Sequence, residues 1–213
     1  RHDYDGNPCS HRKAHNIYGT QMARATYHGV KRFAYPKRPF VITRSAYAGA
    51  QRYTSSWTGD NVATWEHLWI ANIQVQRMSI SGMGFTGSDI GGFAEQPSGE
   101  LYARWIQLGV FHPFCRTHSS GDHGDQEPWA FDEEVIDITR KFVNLRYQLL
   151  PYLYTMFWQY IEQGIPMLKP LVYYDQDDIQ THYRNDEFVF GNQILVCPIL
   201  EPNAVGRRMY IPR

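Results

Sequence analysis

Tyr53-Thr54-Ser55-Ser56-Trp57-Thr58-Gly59-Asp60-Asn61 is a polar stretch that separates an apolar run from an amphipathic pattern. The apolar, β-branched run at residues 40–43 is typical of a buried strand, and the pattern at residues 63–79 is helical. Between them, the stretch places one large aromatic ring, Trp57, three residues before one carboxylate, Asp60. We therefore expect a loop that presents a single acid beside an aromatic face.

Helical and strand-like segments alternate on both sides of this loop. Helices are predicted at residues 15–30, 63–79, 100–108 and 133–163, and strands at residues 40–43, 82–85, 110–115 and 167–173. Pro151 should kink or split the last helix, and Gly164 should end it. Such alternation is typical of a parallel sheet covered by helices, in which ligands gather at the carboxyl ends of the strands.

The pattern changes after residue 182. Short apolar runs at residues 188–190, 194–200 and 209–211 predict antiparallel strands, the first two joined by a hairpin turn at Gly191-Asn192. A complete (β/α)8 barrel needs roughly 250 residues, and only half of its strand–helix units are present. The predicted fold is α/β: half of a (β/α)8 barrel at residues 1–182, followed by the start of an antiparallel β-sandwich at residues 183–213.

Charge and cysteine content exclude several classes of partner. Lys plus Arg and Asp plus Glu each number 21, so no net field favours nucleic acid or an anionic membrane. No apolar run reaches the roughly 18 residues of a membrane span. Cys9, Cys115 and Cys197 lie far apart, which argues against a zinc knuckle or a disulfide framework. A neutral ligand with aromatic contacts is the expectation.

Asp60 has two interpretations at this stage. An Asp just before a helix ordinarily caps it, because its side-chain oxygen accepts hydrogen bonds from the first free backbone N–H groups. Alternatively, the carboxyl group acts as a general acid and base beside a sugar ring that packs on Trp57. The local sequence favours the cap, and one acid does not make a catalytic pair.

Three further polar residues follow predicted strands. Asp89 lies in Gly87-Ser88-Asp89-Ile90-Gly91-Gly92-Phe93, where the glycines suit either close approach of a ligand or a turn closed by the Asp side chain. Arg116 and His118 end the next predicted strand. Arg116 could pair with Asp89 and His118 could be solvated, or both could donate hydrogen bonds to sugar hydroxyls. The residues alone leave these alternatives open.

Other site chemistries find little support. The histidines and acids between His112 and Asp125 do not match a zinc motif and could at most bind calcium weakly. No G-x-S-x-G elbow occurs, and neither does a G-x-G-x-x-G pattern or a phosphate-loop lysine. We therefore expect no metal and no cofactor.

Seven short stretches are distributed along most of the chain, from residue 38 to residue 198. They are Arg38-Pro39-Phe40-Val41-Ile42-Thr43-Arg44-Ser45, Trp57-Thr58-Gly59-Asp60-Asn61, Gly87-Ser88-Asp89-Ile90-Gly91-Gly92-Phe93, Pro113-Phe114-Cys115-Arg116-Thr117-His118, Glu127-Pro128-Trp129, residues 145–154 with Leu145-Arg146-Tyr147, and residues 191–198. This ordered set closely resembles glycoside hydrolase family 31, the family of α-glucosidases, α-xylosidases and α-glucosyltransferases.

The resemblance implies a role for each candidate residue. Asp60 would be the catalytic acid/base, and Trp57 would pack against the sugar in the cleavage subsite. The implied substrate-binding residues are Arg44, Asp89, Arg116 and His118, which bind sugar hydroxyls, and Phe93, which lines the same pocket. The implied fold is the carboxyl-terminal half of the family's catalytic barrel.

The family's nucleophile is missing from the sequence. It is an Asp in a Trp-x-Asp-Met-Asn-Glu stretch, which does not occur here. Asp3 and Asp5 lie in a polar segment without that context, and neither is assigned the role. Retaining hydrolysis needs two carboxyl groups about 5–5.5 Å apart. We therefore expect a fragment whose nucleophile lies upstream and which is inactive by itself.

The expected activity is retaining hydrolysis of α-linked gluco-oligosaccharides, with an oligosaccharide as the partner. Within the same family, the alternatives are α-glucosyl transfer and α-xyloside hydrolysis. An alternative of another class is a non-catalytic carbohydrate-binding protein, which the missing nucleophile would support. The compartment stays open, and a secreted or periplasmic location is compatible with the sequence.

Overall fold

The computed structural model describes residues 2–3 and 6–212, which divide into two compact units, Arg1–Trp57 and Thr58–Arg213. In the first unit, helix α1 spans His11–Phe33 and is longer at both ends than the predicted helix at residues 15–30. Gly29 lies inside α1, because a glycine can occupy a helix interior at a modest cost in stability. The buried residues of α1 are small: Ala14, Thr20 and Ala23.

The segment between α1 and the Trp57 loop is less regular than predicted. Within the described part of the chain, residues 40–43 form one parallel bridge, between Ile42 and Ser55. The prediction of a strand buried on both faces is wrong, since Phe40 is 58 % exposed. Strand β1 (Ser56–Trp57) follows.

Four longer helices form the frame of the second unit. They are α2 (Trp65–Ile80), α3 (Gly99–Gly109), α4 (Glu133–Gln148) and α5 (Leu150–Gln163). The first three are capped at their N-termini by Thr64, Ser98 and Asp132, and each of these side chains accepts a hydrogen bond from the backbone N–H three residues later. As predicted, the helical pattern at residues 133–163 is split near Pro151, and Gly164 ends α5 in a left-handed conformation. A short helix, α6 (Ile179–His182), follows.

Short strands lie among these helices. They are β2 (Thr86–Gly87), β3 (Asp89–Ile90) and β4 (Arg116–Thr117). Strands β3 and β4 pair in parallel with Asp89 opposite Arg116. The parallel character of the predicted sheet is thus present, although the strands lie further along the chain than predicted.

The two strand predictions that precede β2 and β4 are wrong in position. Residues 82–85 are a turn and irregular backbone that lead into Thr86. Residues 110–113 form a turn in which the N–H groups of Phe111 and His112 donate to the carbonyls of Leu108 and Gly109, each at 3.0 Å. The apolar residues there are buried because the turn packs inside the unit, so their hydrophobicity does not mark a strand.

The carboxyl-terminal strands form an antiparallel sheet. Strands β5 (Leu168–Pro170), β6 (Phe188–Phe190) and β7 (Ile194–Val196) lie in that order. The predicted hairpin at Gly191 is present, and that glycine has a φ of 67°. Strand β5 is shorter than predicted because residues 171–173 form a helical turn, and the predicted strand at residues 209–211 is not formed.

One hydrophobic core lies within the second unit and joins α2 and α3 to β3, β5 and β6. Its largest fully buried side chains include Trp105, Tyr102, Leu68, Ile90, Phe188 and Phe190. The Trp105 indole N–H is satisfied by Ser88 Oγ at 3.0 Å, immediately before β3. Across the described part of the chain, no helix combines the length and apolarity that a membrane crossing requires.

Candidate active site

The loop that carries Asp60 is held in place by backbone hydrogen bonds on both sides. Thr58 N–H donates to the Gly87 carbonyl at 3.0 Å, and the Asn61 carbonyl accepts from Phe93 N–H at 2.6 Å and from Ala94 N–H at 3.1 Å. Between these anchors the Asp60 side chain is exposed. The backbone of the loop is therefore fixed while its carboxylate faces solvent.

Asp60 does not cap helix α2. The N-cap is Thr64, whose Oγ1 accepts from the His67 N–H at 3.2 Å. The cap interpretation that the local sequence favours is therefore wrong, because the helix begins one turn later than that interpretation assumed. Capping of α2 therefore does not explain the acid at this position.

Asp89 and Arg116 form a buried ion pair across the parallel strands β3 and β4. Arg116 donates to Asp89 Oδ1 through Nε at 3.1 Å and through Nη2 at 2.9 Å. The Asp89 side chain is 0 % exposed, whereas that of Arg116 is 28 % exposed. The predicted ion pair is thus present. The turn after Asp89 is closed by its backbone carbonyl, which accepts from Gly92 N–H at 3.1 Å.

The second oxygen of this carboxylate has no hydrogen bond within the described structure. Asp89 Oδ2 is buried and finds no partner among residues 2–3 and 6–212. A buried carboxylate oxygen without a donor is costly, and such atoms in native proteins usually have a functional reason. A ligand hydroxyl could donate to it.

Four ionisable groups interact electrostatically around this pair. Burial raises the pKa of Asp89 above its ordinary value of 3.8, the Arg116 and His118 charges oppose that rise, and the negative charge of Asp60 adds to it. Charges perturb one another in this way only over short distances. The charges of Asp60, Arg116 and His118 therefore lie close enough to Asp89 to shift its pKa, and the predicted roles of these residues stay predictions.

Phe93 and His118 lie side by side. Their ring centroids are 5.2 Å apart at an interplanar angle of 39°. The Phe93 carbonyl accepts from Ser120 N–H at 2.9 Å, which ties the two loops together. Phe93 is half-buried and His118 is exposed, so an apolar face and a polar edge lie next to each other.

Arg44 and Trp57 belong to the first compact unit. Arg44 is exposed and follows the bridged segment at residues 41–43. Trp57 is half-buried at the end of β1. Their predicted contacts with substrate stay predictions.

Gln126 supports the site, and the sequence analysis did not predict this role. It is 4 % exposed, and its Nε2 donates to the Gly92 carbonyl at 2.9 Å. That glycine has a φ of 89° and lies so close to Ala63 that an added Cβ would be 2.6 Å from the Ala63 nitrogen. A buried Gln within a polar loop leaves no local signal, because the acceptor lies 34 residues away.

Metal ligands do not cluster here. Among residues 2–3 and 6–212, no group of three or more His, Cys, Asp or Glu side chains is arranged to hold a metal ion.

Comparison with known proteins identifies the family. Residues 1–156 match the family model described as the glycosyl hydrolases family 31 TIM-barrel domain, and residues 164–213 match that of the glycosyl hydrolase family 31 C-terminal domain. The predicted family and fold class are confirmed. The exact domain boundary predicted at residues 182–183 stays a prediction.

Similar proteins bear α-glucosidase names. The chain is 44 % identical over 212 residues to "Alpha-glucosidase 2" of Bacillus thermoamyloliquefaciens, covering 100 % of this chain and 27 % of that protein. It is 39 % identical to "Neutral alpha-glucosidase AB" of Homo sapiens, covering 95 % of this chain and 22 % of that protein. The chain thus spans about a quarter of the length of these relatives.

Solved structures give the same result. A Tris-bound glucosidase II alpha subunit superposes with a TM-score of 0.92 at 36 % identity, over 95 % of this chain and 22 % of that one. A Flavobacterium johnsoniae dextranase complexed with glucose superposes with a TM-score of 0.87 at 33 % identity, over 95 % of this chain and 26 % of that one. On the two family-model matches and these likenesses together, the chain belongs to glycosyl hydrolases family 31.

Proposed function

We propose that this chain supplies the acid/base and the substrate-binding residues of a retaining α-glucosidase, with Asp60 as the acid/base. One observation carries the proposal: an exposed carboxylate on a braced loop lies in electrostatic reach of the buried Asp89–Arg116 pair. Capping, the structural role that could have explained Asp60, belongs to Thr64 instead.

The exposed position of Asp60 suits proton transfer in both halves of a retaining reaction. In the first half, its carboxylic acid protonates the leaving glycosidic oxygen. In the second half, the resulting carboxylate takes a proton from the water that attacks the glycosyl-enzyme. Both the leaving group and the water approach from the same side, so one accessible carboxyl group serves both steps.

The Asp89–Arg116 pair is suited to bind a sugar hydroxyl. A hydroxyl group both donates and accepts, and the pair offers an acceptor in Asp89 Oδ2 and donors in the Arg116 guanidinium. Phe93 offers an apolar face for the C–H groups of the ring, and His118 offers a polar edge beside it. Arg44 and Trp57 are proposed as further substrate-binding residues.

The nucleophile is not assigned to any residue of this sequence. Asp3 is exposed, and its Oδ2 accepts from Gly6 N–H at 3.3 Å. Asp5 lies outside the described residues. We propose that the nucleophile belongs to a segment outside residues 1–213, and that these residues alone do not turn over a glycoside.

Glucose is the proposed sugar because similar proteins carry α-glucosidase names and a similar dextranase structure holds glucose. Transfer to another sugar would use the same acid/base with a saccharide in place of water. An α-xyloside would leave the same catalytic residues in place. A non-catalytic carbohydrate-binding protein would use the Asp89–Arg116 pair without Asp60.

Product analysis on the full-length protein tests this function. The protein is incubated with an aryl α-glucoside, whose hydrolysis releases one glucose and a phenol, and with an aryl α-xyloside, and the first-formed anomer of the released sugar is followed by proton NMR. The expected result is α-glucose at early times, without longer saccharides as the main product. Early β-glucose would contradict a retaining mechanism, and sugar binding without any hydrolysis would favour the binding-protein alternative.

A further inference from the structure

Arg146 on helix α4 makes a compact set of hydrogen bonds to the segment between α3 and β4. Its Nη1 donates to the carbonyls of Val110 at 2.8 Å and His112 at 2.7 Å, and its Nη2 donates to the carbonyl of Pro113 at 2.7 Å. Among the described residues, no carboxylate lies within 4.0 Å of this guanidinium. Its donors are thus directed to backbone oxygens, and we propose that Arg146 is a positioning residue for the Asp89–Arg116 pair.

The segment needs such a donor because it leaves a helix without entering a strand. Val110 is the C-terminal cap of α3, where carbonyls lose their helical partners. Val110 and His112 are 1 % and 0 % exposed, so their carbonyls have little access to water. Buried backbone carbonyls that lack a donor are costly. The Arg146 guanidinium donates hydrogen bonds to three backbone carbonyls of this segment at once.

A short, stiff path links these carbonyls to the site. Phe114 follows Pro113, and its N–H donates to the Thr86 carbonyl at 3.0 Å. The Arg116 guanidinium lies 5.1 Å from the Phe114 ring centroid and holds Asp89 Oδ1 with two donors. Two hydrogen bonds from one guanidinium to one carboxylate oxygen require a defined distance and angle, so a small displacement of Arg116 weakens both. The backbone position that Arg146 sets at Pro113 therefore controls the geometry of the pair three residues later.

A lysine cannot replace this arrangement. The three acceptors are shared between two nitrogens of a planar fork, whereas an ammonium presents a single centre of charge. Arg146→Lys therefore keeps the charge and most of the volume but loses the fixed geometry. Arg140→Met is the matched control, because Arg140 lies on the same helix and makes an exposed ion pair with Asp137.

The kinetic test rests on the proposed function and asks whether Arg146 acts through the hydroxyl that the pair binds. Initial rates are measured in the full-length protein for an aryl α-glucoside and its monodeoxy analogues, with Asp89→Asn used to identify the hydroxyl concerned. We expect Arg146→Lys to lower kcat/KM for the parent substrate by about 10–100-fold. The analogue that lacks the hydroxyl bound by the pair is the one whose kcat/KM changes least in Asp89→Asn. Its kcat/KM should also change least in Arg146→Lys. Arg140→Met should stay within about twofold of the wild type.

A second readout does not depend on catalysis. Hydrogen exchange by mass spectrometry should show at least about tenfold faster exchange at residues 114–118 in Arg146→Lys, with residues 65–80 unchanged. An unchanged exchange pattern at residues 114–118 overturns the proposal, whether or not the protein is a glycosidase. Equal rate losses on every deoxy analogue would also overturn it, since a general loss of folded protein gives no hydroxyl dependence. Wild-type protein that is inert on all α-glucosides refutes the proposed function but leaves the exchange test of Arg146 decisive.

Discussion

Replacing Arg116, the cation of the buried ion pair, with methionine measures how much the stability of the site depends on that pair. In Arg116→Met, the Asp89 carboxylate, which is 0 % exposed in the wild-type structure, loses both donors to Oδ1. Breaking a buried pair from one side costs roughly 3–5 kcal/mol, because a charge is left without compensation. We expect about 3 kcal/mol, the low end of that range, since Arg116 is 28 % exposed and water reaches one side of the pair.

The cost should depend on pH in a defined direction. Burial already raises the pKa of Asp89, and the Arg116 charge holds that rise down. Without Arg116 the pKa of Asp89 rises further above its unfolded value. A carboxyl group whose pKa is raised on folding contributes to the free energy of unfolding below its unfolded pKa, and this contribution is lost as pH rises through the folded pKa. The loss is at most about 1.4 kcal/mol per pH unit. The deficit of Arg116→Met should therefore be larger at pH 7.5 than at pH 5.5.

Local opening of strands β3 and β4 is the quantity to measure. Hydrogen exchange of their amides in the full-length protein, corrected for intrinsic exchange at each pH, gives the local free energy of opening. Asp89→Asn/Arg116→Met is the control, because it removes the stranded charge and should recover most of the loss. The reasoning is refuted if the single variant is as stable as the double variant, or if its deficit is the same at both pH values.

Two further substitutions test the loop around Asp60. Thr64→Ala should weaken the first turn of α2 by about 1 kcal/mol, whereas Asp60→Asn should change that turn by less than about 0.5 kcal/mol, both read by hydrogen exchange; equal effects would restore the cap interpretation. Gly92→Ala should lower glucosidase activity at least about tenfold, because its φ of 89° and the 2.6 Å contact with the Ala63 nitrogen leave no room for a Cβ. Gly206→Ala is its control, with nothing within 4 Å, and a wild-type rate in Gly92→Ala would show that the loop tolerates displacement.

The sequence predicted helices far better than strands, for a physical reason. The pattern at residues 63–79 repeats over several turns and lies within two residues of α2, and Pro151 marks the split between α4 and α5 through its missing N–H. The segments at residues 40–43 and 110–115 are short and apolar, and burial in a turn gives the same composition as burial in a strand. Only the backbone hydrogen bonds distinguish the two.

The sequence named candidate residues for the site but left the contacts between them open. Asp60, Asp89, Arg116 and His118 were each named from motifs, and a pair between Asp89 and Arg116 was one of the alternatives left open. The register of β3 and β4, which places these residues opposite each other 27 positions apart in sequence, decides that alternative. The bonds of Arg146 to residues 110–113 span 33–36 positions. No periodicity encodes contacts of that kind, because they depend on how α4 packs on the end of α3.

The acid/base role of Asp60 is tested most directly by the dependence of rate on the leaving group. Asp60→Asn and wild-type full-length protein are compared on an α-linked disaccharide, whose leaving group needs a proton, and on an aryl α-glucoside with an acidic phenol, which needs little proton donation. The account predicts a loss for the disaccharide that exceeds the loss for the aryl glucoside by at least about 100-fold, the usual contribution of general acid catalysis. Equal losses on both substrates would contradict it.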